Sequence, residues 1–135
     1  MTPENDNSNA AEVLRILYVD DSYAQLDALR RDLLGAPYKV TVAMNVREAS
    51  ERMPRDQPHL VIIDYHMPDN SGDACLRALK PLGGPDTRYY LYTSDAQAFR
   101  RHREMGFDGV FMLKGKSSVR TQIDAVARAL TRFRG

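Results

Sequence analysis

The stretch LVIIDYHMPDNSG, residues 60–72, decides the fold. Four apolar residues, Leu60 to Ile63, run straight into Asp64. An apolar run of that length without alternation reads as a strand buried on both faces, as in a parallel sheet. A carboxylate at the end of such a strand is costly unless it is paired, metal-bound or used. Asp64 therefore needs partners. Met67, Pro68 and Gly72 then shape a loop that leads into the next helix: proline fixes one backbone angle, and glycine permits geometry that other residues resist.

Outward from this strand, the elements alternate. RILYV (15–19) is an apolar strand, and Leu26, Leu29 and Leu33 follow at helical spacing until Gly35 and Pro37 stop that helix. KVTVA (39–43) is β-branched and strand-like. Asn45 with Glu48 forms a capping-box pattern ahead of a helical face of Val46, Ala49 and Met53. HLVII (59–63) is the third strand, and a helix from Ser71 to Lys80 precedes the loop PLGGPD. RYYLYT (88–93) is the fourth strand, in which Tyr90 and Tyr92 face one way and Tyr89 the other. DAQAFRRHREM (95–105) reads as a polar, arginine-rich helix, and GVFML (109–113) as the fifth strand. Val119, Ile123, Val126, Ala127 and Leu130 mark a long amphipathic last helix. Strict alternation of five strands and five helices means a doubly wound α/β fold, a parallel sheet with helices on both faces. Sites in such sheets lie at the carboxyl ends of the strands, around a topological switch point.

Those ends carry the chemistry. The first strand ends in Asp20-Asp21, the third in Asp64, the fourth in Thr93-Ser94 and the fifth in Lys114. Adjacent aspartates alone are weak evidence, because they also start helices; an Asp before MPxxxG is more specific, and the four strand ends together are strong. Three clustered carboxylates repel one another unless a cation intervenes. Oxygen-only ligands suit a hard cation such as Mg²⁺, which takes one or two carboxylates, waters and a phosphate. A carboxylate is also a competent phosphoryl acceptor. That transfer needs in-line positioning and neutralised oxygens, for which Lys114 can supply charge and Thr93 a hydrogen bond.

Composition bounds the rest. A chain of 135 residues with 43% hydrophobic residues fits one domain with a core. The first thirteen residues are polar and read as a flexible tail, without the basic and apolar regions of a secretory signal. No apolar run has the length of a membrane span. The single cysteine, Cys75, sits beside Leu76 and Leu79 at helical spacing and reads as core; with no internal disulfide to form, a cytoplasmic setting is expected. A formal net charge of +1 gives no overall case for nucleic acid. Arg100, Arg101, Arg103, Arg120, Arg128 and Arg132 gather on the last two helices, either a solvated face or a partner surface. His59 reads as structural and His102 as solvated.

The arrangement Asp20-Asp21, Asp64, Thr93 and Lys114 resembles the bacterial response-regulator receiver domain, the CheY-like family of two-component signalling, over residues 14–133. The resemblance implies a flavodoxin-like strand order of 2-1-3-4-5. It implies that Asp64 is the phosphoacceptor and that Asp20, Asp21, Asp64 and the carbonyl of His66 hold Mg²⁺. Thr93 and Lys114 would bind the phosphoryl group, and Thr93 and Phe111 would form the switch, with Phe111 rotating inward. His66 and Asp95 would flank the mouth of the site and gate water. The implied activity is self-phosphorylation and slow hydrolysis rather than conventional turnover. The donor would be a sensor histidine kinase or histidine phosphotransfer protein, in a phosphorelay ending on an unknown downstream protein or a phosphorylation-dependent homodimer, with no membrane and no nucleic acid. One departure stands out. The family usually has Lys-Pro after the fifth strand, often with a cis bond, whereas this chain has Lys114-Gly115 and is expected to be trans. Two rivals fit less well. A phosphohydrolase of haloacid-dehalogenase type needs Asp-x-Asp after the first strand, where this chain has Asp20-Asp21-Ser22. A flavodoxin-like ligand module needs a phosphate-cradling loop there, where two acids would repel phosphate.

Overall fold

The computed structural model of the chain describes residues 13–65, 67, 71–112 and 118–130. Along it run β1 (Leu14–Val19), α1 (Tyr23–Asp32), β2 (Tyr38–Ala43), α2 (Val46–Asp56), β3 (Leu60–Asp64) and α3 (Gly72–Leu79), which passes into a short 3₁₀ turn. β4 (Arg88–Thr93), α4 (Ala96–Arg101), β5 (Gly109–Met112) and α5 (Val119–Ala129) complete it. All five strands are parallel, in the order β2-β1-β3-β4-β5. The chain thus moves from β1 to one side and then returns past it to β3 on the other, which makes the β1/β3 junction the switch point.

The side chains of each strand alternate between two cores. Leu14, Ile16 and Tyr18 of β1, Leu60 and Ile62 of β3, and Tyr92 and Phe111 pack with Leu26, Leu29 and Leu33 near α1 and with Val119, Ile123 and Ala127 of α5. Leu17, Val19, Val61, Ile63, Tyr89 and Leu91 pack on the other face with Ala49 and Met53 of α2, Cys75, Leu76 and Leu79 of α3, and Ala98 of α4. This is why residues 60–63 are apolar without alternation: both faces of β3 are covered. Each such side chain contributes about 1.5–3 kcal/mol by leaving water. Tyr90 and Tyr92 do face one way and Tyr89 the other.

Local signals set the helix ends. Ser22 accepts from the Gln25 N–H at α1 and Ser118 from the Thr121 N–H at α5. Asn45 accepts from the Glu48 N–H at 2.8 Å, and the Glu48 carboxylate returns to the Met44 N–H at 2.8 Å, one residue before the usual capping-box partner. The fourth helix is shorter than the stretch 95–105 read from its polar composition. It ends at Arg101, because the His102 N–H turns back to the Phe99 carbonyl three residues earlier and Gly106, at φ +103°, carries the chain into β5. Only Ala98 of this helix is buried, so no apolar stripe extends it. His59 is structural, its Nδ1 accepting the Arg15 N–H at 2.9 Å.

Candidate functional site at the carboxyl edge of the sheet

The site grows out of the switch point. Val19 lies opposite Ile63 in register, so the residues that follow each, Asp20 and Asp64, leave neighbouring strands side by side. The Asp20 N–H bonds the Ala43 carbonyl at 3.0 Å and continues the β1/β2 ladder one residue further. Asp64 pairs with Tyr92, and the Tyr65 N–H bonds the Tyr92 carbonyl at 3.2 Å, which places Thr93 one residue beyond Asp64 along the edge.

Asp20, Asp21 and Asp64 each bring a carboxylate oxygen within 4.8 Å of the others. Asp20 is only 3% exposed. Burial raises its carboxyl pKa above the ordinary aspartate value; hydrogen bonds from the Tyr18 hydroxyl (2.6 Å) and the Ser22 N–H (3.0 Å) pull the other way, and the Asp21 charge adds to the rise. Three carboxylates so close, one of them nearly dry, are a donor set for a hard divalent cation. The residues present therefore fit Mg²⁺.

Gly72 closes the loop behind Asp64. Its N–H donates to the Tyr65 carbonyl at 3.1 Å, and a Cβ there would lie 3.0 Å from the Tyr65 Cα and 3.2 Å from the Asp64 carbonyl oxygen. The sequence suggested unusual backbone geometry for this glycine. The structure gives it close approach instead, since its φ is not in the positive region.

Thr93 is 2% exposed, and its Oγ1 accepts the Asp95 N–H at 2.9 Å. The Asp95 carboxylate in turn accepts from the Gln97 and Ala98 N–H groups and caps α4. Asp95 is thus a helix cap as well as a neighbour of the site. Phe111 is 2% exposed and stacks on Tyr90, with ring centroids 4.7 Å apart. The described conformation already holds Phe111 inside, so an inward rotation would lead to this position rather than start from it. Tyr90 lies across its register partner Gly109, where a Cβ would come within 2.3 Å of the ring.

Lys114, His66 and Gly115 lie outside the described residues, as does Arg132. Of the other arginines, Arg101 lies 3.2 Å from Glu104, and Arg120 3.9 Å from Asp124, whose carboxylate also takes the Tyr38 hydroxyl. From the sequence alone, Tyr18 and Tyr90 read only as strand residues. Tyr18 touches a site carboxylate, and Tyr90 holds Phe111. The signal for Tyr18 was present: two residues before Asp20 on a strand, it shares that residue's face.

Comparison with known proteins identifies the family and the fold. The model of the response regulator receiver domain family matches residues 16–123. The chain belongs to that family. It is 39% identical over 70 residues, 52% of its length, to the response regulator MprA of Mycolicibacterium vanbaalenii, and it spans about 30% of that relative. Among solved structures, the chemotaxis protein CheY4 of Vibrio cholerae superposes with a TM-score of 0.73 at 20% identity, covering 87% of this chain and 98% of that one, a likeness of fold. The signal receiver domain of a signal transduction histidine kinase from Syntrophus aciditrophicus gives a TM-score of 0.68 at 30% identity, over 87% of this receiver and 89% of that chain. The five-stranded parallel order expected for the fold is thus present, and the chain is a receiver domain of two-component signalling. No helix among the described residues is long and apolar enough to cross a membrane.

Proposed function

We propose that this receiver accepts a phosphoryl group on Asp64 from a phosphohistidine of a sensor kinase or phosphotransfer protein and uses it to change its α4-β5-α5 surface. The observation that carries the reading is the meeting of Asp20, Asp21 and Asp64 at the switch point of a receiver fold. An Asp64 carboxylate oxygen forms the new bond to phosphorus as the phosphorus–nitrogen bond of the donor breaks and the imidazole leaves with that electron pair. Asp20, Asp21 and Asp64, with the His66 carbonyl, would hold Mg²⁺, which supplies positive charge opposite the phosphoryl oxygens. Lys114 would approach those oxygens from the end of β5.

Thr93 links the chemistry to the surface. Its Oγ1 accepts from the Asp95 N–H, so its own hydrogen remains available to donate to a phosphoryl oxygen at Asp64. A shift of Thr93 toward that oxygen pulls on Asp95 and hence on the start of α4. Phe111, already inside and stacked on Tyr90 beside the same edge, occupies the position that the space left by Thr93 would favour. The added charge of about −1.5 to −2 is the bias on this two-state element. The partner that reads the changed face is a downstream protein or a second copy of the chain. A cytoplasmic setting fits a chain whose one cysteine is a buried thiol.

Incubation with acetyl phosphate and Mg²⁺, followed by intact-mass measurement, tests the reading. One phosphoryl group is expected, lost on chelation by EDTA. A chain that stays unlabelled at saturating donor and Mg²⁺ contradicts it, and release of many equivalents of phosphate per chain per minute would favour a phosphohydrolase.

A further inference from the structure

We propose that the Tyr18 hydroxyl is a positioning group for the cation site, holding the Asp20 carboxylate in the orientation in which it meets Asp21 and Asp64. The inference rests on reading those three acids as the Mg²⁺ site. Tyr18 is fully buried in the core between the sheet and the α1/α5 layer, and its ring is fixed edge-on against Tyr92, with centroids 5.8 Å apart. From there its hydroxyl donates to Asp20 Oδ2 at 2.6 Å, a length typical of a bond to an ionised acceptor. The Ser22 N–H donates to Oδ1 at 3.0 Å. Asp20 is thus gripped at both oxygens, one from the core and one from the turn into α1.

A carboxylate has about four acceptor sites. The two bonds occupy two and aim the others, so Asp20 cannot swing without breaking a buried bond. Mg²⁺ demands near-ideal octahedral geometry and tolerates a misplaced ligand poorly. A group behind a ligand that fixes its orientation typically accounts for about 10–100-fold in metal affinity. The Tyr89 hydroxyl is also buried but has no hydrogen-bond partner among the described residues, whereas the Tyr18 hydroxyl is bonded to a carboxylate of the site.

Calorimetric titration of the unphosphorylated chain with MgCl₂ is the test, on wild type, Tyr18→Phe and a control, Tyr89→Phe, which removes a buried hydroxyl from the other face of the sheet. The Kd for Mg²⁺ is expected to rise about tenfold in Tyr18→Phe and to stay within twofold in the control. An unchanged Kd in Tyr18→Phe, or an equal loss in both variants, overturns the proposal. If Tyr18→Phe does not fold, the ring carbon bearing the Tyr18 hydroxyl, followed by NMR in the wild type, decides: it should shift on Mg²⁺ addition more than that of Tyr89, and equal or absent shifts overturn the assignment. Wild type that binds no Mg²⁺ would instead refute the cation site itself, and the role of Tyr18 with it.

Discussion

The Thr93 hydroxyl oxygen accepts the Asp95 N–H at 2.9 Å, and the Asp95 carboxylate accepts two N–H groups of α4. A buried residue at the site is therefore one hydrogen bond away from the cap of a surface helix. Thr93→Val keeps the volume and removes the acceptor. Loss of one such bond should cost about 1 kcal/mol in urea unfolding, and amide exchange at residues 96–98 should speed up. Phosphorylation should then cease to alter exchange in α4. Unchanged exchange at those amides would show that the Thr93–Asp95 bond does not hold the helix.

Asp20 gives a pH signature. Its folded-state pKa lies above its unfolded value because of burial. Between the two values the folded chain holds the extra proton, so Asp20's contribution to stability falls as pH rises from the ordinary aspartate pKa through the raised one. Without metal, the stability difference between wild type and Asp20→Asn should therefore decline with rising pH across that window and then level off. Mg²⁺ reverses the slope, since it needs the ionised form; at tenfold excess over its Kd it should add about 1.4 kcal/mol. Thermal midpoints against pH, with and without Mg²⁺, measure both trends. A difference profile that rises with pH in the absence of metal would contradict the assignment.

Gly109 makes room for the Tyr90 ring, which covers it and stacks on Phe111. Gly109→Ala would put a methyl within 2.3 Å of that ring. The expected cost is about 1–3 kcal/mol, with displacement of Tyr90 and a change in the environment of Phe111 visible by aromatic NMR. Tyr90→Ala should relieve most of the clash in the double variant. If Gly109→Ala is as stable as wild type, the stack is not fixed by close packing.

Cys75 is fully buried, and desolvation raises its thiol pKa to about 12. It should stay unreacted with a thiol reagent in the native chain at pH 8 and react fully once unfolded. Rapid native labelling would mean that α3 opens readily.

The sheet was legible because β3 is apolar on consecutive positions, Leu60 to Ile63, and because turn residues separate each strand from the next helix. The acids were legible because Asp20, Asp21 and Asp64 stand where strands must end. Less visible was anything set by approach between distant residues. Gly72 looked like a residue of unusual backbone angle and proved to be one of close packing against Asp64 and Tyr65. The end of α4 was not readable from the arginines of residues 100–103, since composition permits a helix that only burial and the turn at Gly106 bring to an end. Tyr18 looked like another apolar strand residue, and its hydrogen bond appeared only when the depth of Asp20 was known. The Tyr90–Gly109–Phe111 packing depends on strand register, which alternation along one strand does not specify.

The central claim is that Asp64 takes the phosphoryl group, and chemical trapping tests it most directly. After reaction with acetyl phosphate and Mg²⁺, borohydride reduction converts an aspartyl phosphate to homoserine, which peptide mass spectrometry can place on the chain. The account predicts homoserine at position 64 and at neither 20 nor 21, and none anywhere in Asp64→Asn. Homoserine at Asp20 or Asp21 in the wild type, or undiminished trapping in Asp64→Asn, would contradict it.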